Sequence, residues 1–150
     1  MIDKLNKHLA LELAATNTYH GHAALIEYHG YAALAKKYKE EAKEERGHAN
    51  KIMRRIQQLG GIPAYTKLYQ VTPCSDWDIR GILTADLTLE ETVHLSLNDI
   101  LMDADSGADG ETSNVLRDLI KDTADHIQWL EVNLALIEEI GLQNWLQAQL

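Results

Sequence analysis

Apolar positions in this chain recur at steps of three and four over four long stretches, the spacing of one buried face on an α-helix. In the first stretch the repeating positions are Leu5, Leu9, Glu12, Thr16, Tyr19, Ala23 and Ile26. They predict a helix over about residues 3–29, with Asp3 as its cap and Gly30 as its stop. The second, about 31–59, repeats Leu34, Tyr38, Ala42, Glu45, His48, Ile52 and Ile56 and closes at Gly60-Gly61. The third, about 77–105, carries Ile79, Ile82 or Leu83, Asp86, Glu90, Val93 or His94, Leu97 and Leu101, with Ser75 or Asp76 as its cap. The fourth, about 111–140, carries Leu116, Leu119, Thr123, His126, Leu130, Leu134 and Ile137. A short amphipathic segment, about 142–149, follows Gly141 and needs a docking partner, because so short a helix is unstable alone in water.

The joins set the architecture. Gly30 and the turn at Gly107–Gly110 leave room only for antiparallel neighbours, whereas residues 60–76 form a long connection. Turn chemistry there brackets an extended stretch from Tyr65 to Val71. Short, long and short joins predict an all-α antiparallel four-helix bundle, with one crossover between helices 2 and 3 and a short fifth helix. Its length suits a single domain over 1–150.

Polar residues inside the apolar stripes carry the candidate chemistry. Glu45 and His48 lie three apart, so they share a helix face. A buried carboxylate without a partner is destabilising by several kcal/mol, which argues for a cation beside it. The chain also repeats itself: Glu12 to Glu45 and Glu90 to position 123 are the same 33-residue interval, and each is followed three residues later by a histidine, His48 or His126. Two single Glu and two Glu-x-x-His steps are the ligand set of di-iron carboxylate bundles. Five positions fit that set, namely Glu12, Glu45, His48, Glu90 and His126, as candidate metal and catalytic residues; Thr123 does not. Carboxylates bridge cations, and imidazole is a neutral ligand for iron.

Composition narrows the partners. A formal charge of -9 argues against nucleic acid and favours small cations. Cys74 is the lone cysteine, so no internal disulfide or Cys-x-x-Cys knuckle forms. There is no signal-peptide pattern and no run of about 18 apolar residues, so a cytoplasmic protein with no membrane span is expected.

Four stretches resemble bacterioferritin: Leu11–Tyr19, Asp86–Glu90, Asp125–Glu131 and, most specifically, the tail Ile140–Leu150. The likeness extends over nearly the full length. It implies the ferritin-like fold, iron storage, and oxidation of Fe(II) by O₂ or peroxide at a di-iron centre within each subunit. It further implies a hollow shell of twenty-four self-associated subunits, with the tail around four-fold channels. Two positions depart from the family. Arg46 stands where the family has a haem-ligating methionine, which argues against haem b held by Met ligation. Thr123 stands where the family has a bridging glutamate; Asp122 or His94 are the sequence's candidates to replace it. The second reading is therefore a structural shell subunit with a degenerate centre, partnered by a second subunit of the same kind.

The remaining polar groups receive ordinary readings. His8 is expected to be solvated, His20, His22 and His29 to lie at the surface or an interface, and the run Lys36–Glu41 to form a solvated helix face. Tyr19 is expected to support the ligands, and the three tryptophans to be packing anchors.

Overall fold

A computed structural model describes residues 1–150. Its helices are α1 (Ile2–Tyr28), α2 (Ala32–Gln58), α3 (Ile79–Ser106), α4 (Gly110–Ile140) and α5 (Leu142–Gln147). α1 packs along α2, and α3 along α4; the two hairpins meet through α1 with α3 and α2 with α4. This is the antiparallel bundle that the periodicity predicts. No helix is long and apolar enough to cross a membrane.

Helix ends differ from the sequence expectation where capping chemistry decides them. Asp3 lies inside the first turn of α1 and makes no cap hydrogen bond; its charge still favours the positive end of the helix dipole. α3 begins two residues later than expected. Asp78, rather than Ser75 or Asp76, is its cap, with Oδ1 accepting from the Gly81 N–H at 3.0 Å. Gly30 does end the first hairpin turn, at φ 91°, a left-handed conformation that side-chain-bearing residues resist.

The apolar faces form one continuous core, including Leu5, Leu9, Ile26, Leu34, Ile52, Ile56, Ile82, Leu97, Leu116 and Leu130. Near the middle of the helices this core gives way to a buried polar layer: Glu12, Glu41, Glu45, Glu90, His48 and His126. At one end, buried Arg55 binds Thr112, Asp109 and Glu111, tying the last turn of α2 to the first turn of α4.

The crossover is strapped along α1. The Tyr69 N–H donates to the Ala10 carbonyl at 3.0 Å, and the Ala64 N–H to Asn6 Oδ1 at 2.8 Å. Its extended stretch pairs with no strand.

The tail docks on its own chain. Trp145 is buried and donates from Nε1 to Asn133 Oδ1 at 2.9 Å. The Gln149 carbonyl accepts from the Ala33 and Leu34 N–H groups, serving the start of α2, where Tyr31 offers no side-chain cap. Leu150 is exposed and takes no part. Truncating a buried tryptophan in such a contact removes both apolar burial and a satisfied hydrogen bond. Trp145→Ala is therefore expected to lower unfolding stability by about 3 kcal/mol, read from urea midpoints. An unchanged midpoint would show that the tail contributes nothing to the bundle.

Candidate metal centre

All five sequence-predicted residues reach the polar layer. Glu12, Glu45 and Glu90 sit near the middle of α1, α2 and α3, and His48 and His126 come from α2 and α4. Glu12 and Glu90 are each anchored through one oxygen. His8 Nε2 donates to Glu12 Oε1 at 2.6 Å, and its Nδ1 lies 2.9 Å from Ser96 Oγ. Glu90 Oε1 accepts from the Tyr19 hydroxyl and lies 3.0 Å from His126 Nδ1. His48 Nδ1 lies 3.4 Å from Glu45 Oε2 and 3.8 Å from Glu12 Oε2, while its Nε2 lies 3.2 Å from Asp122 Oδ2.

What remains unanchored faces inward. Glu12 Oε2, Glu45 Oε2, Glu90 Oε2 and His48 Nδ1 are buried and have no hydrogen-bond partner. Buried polar atoms are nearly always satisfied, so four orphans in one layer form a donor set suited to a cation. Glu12, Glu45 and His48 can each offer a donor atom with all three within 4.8 Å of one another; Glu41, Glu45 and His126 do the same. Glu45 belongs to both groups. The oxygen-and-imidazole chemistry fits iron.

Electrostatics reflect crowding of like charges. Burial and the nearby Glu12 and Glu90 push the Glu45 carboxyl well above its ordinary value, against the pull of the neighbouring His48 imidazole. Burial also opposes ionisation of Glu12, but the attraction of His8, the nearby His48 imidazole and the hydrogen bond from His8 hold it below the usual carboxylate range. For His48, burial would disfavour the proton; Glu12 and Glu45 overcome that and raise it to about 11. His126 is raised likewise by Glu90 and Glu41.

Three sequence expectations fail here. His8 is not solvated; it is fully buried against Glu12. His22 is not a surface residue; it is buried, with Nδ1 3.0 Å from Asp86 Oδ1, and the Tyr38 hydroxyl donates to the same carboxylate at 2.7 Å. Glu41 is not on a solvated face; it is buried with Oε2 3.3 Å from His126 Nδ1. Spacing held the signal for two of these. His8 precedes Glu12 by four and Glu41 precedes Glu45 by four, so each shares its neighbour's helix face. Thr123 is buried, and its hydroxyl donates to the Leu119 carbonyl at 2.8 Å, which turns it toward its own helix.

The ferritin-like domain family matches residues 2–140 of this chain. Among curated proteins, the chain is 36% identical to a bacterial ferritin of Neisseria meningitidis serogroup B, covering 100% of this chain and 96% of that protein. It is 34% identical to a bacterial ferritin of Pseudomonas aeruginosa, with the same coverage. It is also 34% identical to a bacterioferritin of Brucella melitensis, over 97% of this chain and 89% of that one.

The polar layer makes metal-free stability pH-dependent. A histidine raised in the fold stabilises fully below its unfolded value, 6.5, and loses that contribution as pH climbs to about 11. Glu45, raised in the fold, favours unfolding increasingly above its ordinary value. Glu12 acts oppositely, and its stabilisation is lost only on acidification below 4.5. Between pH 7 and 10 the first two dominate. In chelator, Tm should fall across that range, and His48→Gln should flatten the fall. A slope unchanged by the substitution would contradict the assignment.

Proposed function

Since the chain belongs to the ferritin-like family, we propose that it is an iron-storage subunit that oxidises Fe(II) at a two-metal site inside its own bundle. The observation that carries this reading is Glu45, whose carboxylate is common to both donor groups and whose Oε2 has no hydrogen-bond partner. In this reading Glu12, Glu45 and His48 hold one iron, Glu90 and His126 hold the other, and Glu45 bridges. Iron supplies the electrons, two Fe(II) giving one each to O₂ or peroxide.

The protein's own groups orient the ligands. His8 fixes one oxygen of Glu12 and leaves the other inward; Tyr19 does the same for Glu90. Asp122 faces the outer nitrogen of His48 and so keeps Nδ1 turned to the site, the arrangement that sets tautomer and basicity in histidine-metal centres. Arg46 is exposed on α2 and has no sulfur to offer haem. The ferric product would be stored in a shell of twenty-four copies, or in a shell shared with a sister subunit.

The alternative, a structural subunit with a degenerate centre, draws support from the hydroxyl of Thr123, which bonds its own helix and leaves α4 with His126 as its only residue against Glu41 and Glu90. Anaerobic Fe(II) titration of the homomer separates the readings. Saturation at about two irons per subunit, with Glu45→Ala slowing the initial oxidation at least about tenfold, is expected. Saturation at one iron or fewer, or an unaltered rate in the variant, would favour the structural role.

A further inference from the structure

We propose that Glu41 supplies the carboxylate that Thr123 cannot, binding the second divalent cation together with Glu45, Glu90 and His126. The inference rests on the two-metal reading above and names the ligand that completes it.

The helix register brings Glu41 there. It lies one turn before Glu45 on α2, so its side chain lies over the same face. It is buried, and its Oε2 is 3.3 Å from His126 Nδ1, the same nitrogen that Glu90 Oε1 approaches at 3.0 Å. Glu41, Glu45 and His126 can place donor atoms within 4.8 Å of one another. The unpartnered oxygens of Glu45 and Glu90 are the independent sign that something cationic belongs beside them. With Glu41 the layer holds four carboxylates and two imidazoles, the donor count of a di-iron carboxylate bundle. Four carboxylates also neutralise two divalent cations.

The two candidates from the sequence face elsewhere. Asp122 lies at the outer nitrogen of His48, where it forms a separate metal-capable group with Glu44 and His48 rather than with Glu45 and His126, and its side chain is partly solvent-exposed. His94 contacts Asn98 on its own helix and belongs to none of the metal-capable groups. Both are therefore set aside as replacements for the missing glutamate.

A cation already accompanies Glu41. The Lys37 ammonium pairs with it and lies 5.3 Å from the centroid of the Trp129 ring. The lysine side chain is about one-third exposed, so its flexible stem can carry the ammonium to water when a dication takes its place.

The test is Co(II) binding to the metal-free protein, followed by calorimetry and by the cobalt absorption spectrum. Wild type should bind about two Co(II) per subunit. Glu41→Gln keeps the side chain's shape and should retain one site while weakening the other about tenfold or more. Adding Thr123→Glu to that variant should restore two sites. Unchanged two-site binding in Glu41→Gln would overturn the assignment while leaving the two-metal reading intact. Loss of both sites without rescue by Thr123→Glu would overturn it too, because Glu41 would then serve only the fold. Wild type binding fewer than two would defeat the two-metal reading itself, and this inference with it.

Discussion

Four carboxylates, those of Glu12, Glu41, Glu45 and Glu90, lie away from water in the middle of the bundle. Leaving one buried charge without its partner costs roughly 3–5 kcal/mol, against a typical total stability of about 5–15 kcal/mol. Such a layer persists only if positive charge is held there too or if a carboxyl takes up a proton, the direction in which burial and its neighbours push Glu45. In the metal-free chain, protons on the histidines and the Lys37 ammonium do this, as the raised values of His48 and His126 indicate. A divalent cation offers more charge in less space. On the proposed reading, the polar layer is a seat for cations that protons occupy in their absence, and the surrounding fold holds it in shape.

The fold serves that layer by closing the ends of the bundle and leaving its centre exact in register. Arg55 ties α2 to α4 at one end. Trp145 and the Gln149 carbonyl seat α5 against α4 and the start of α2. The crossover is held to α1 through Asn6 and Ala10. Between these fixed points the helices need no loop residue in the site. Every residue of the polar layer stands on a helix, where backbone hydrogen bonding limits its drift.

Most of the architecture was legible in the chain because a 3.6-residue period and glycine turns are local signals. That five polar residues share one buried layer was legible because Glu45 and His48 interrupt an apolar stripe and because the second half of the chain repeats the interval. The groups that sequence reading missed take their meaning from the packed bundle. His22 and Glu41 look like ordinary polar positions until neighbouring helices set them against Asp86 and His126, and His8, one turn before Glu12 on the same helix, is buried only once α3 brings Ser96 to its other nitrogen. Glu41 sits beside a lysine-rich run, and that neighbourhood disguised a buried carboxylate as a solvated one. The cap of α3 was misplaced for a different reason: Ser75, Asp76 and Asp78 all have capping chemistry, and only the backbone selects among them.

The central claim is that this layer seats two metal ions that share Glu45. Anomalous diffraction at the iron edge, from crystals soaked anaerobically in Fe(II), tests it most directly. The account predicts two peaks inside each bundle, one beside Glu12 and His48 and one beside His126, with the Glu45 carboxylate between them. A single peak, or iron only on the outer helix faces, would contradict it.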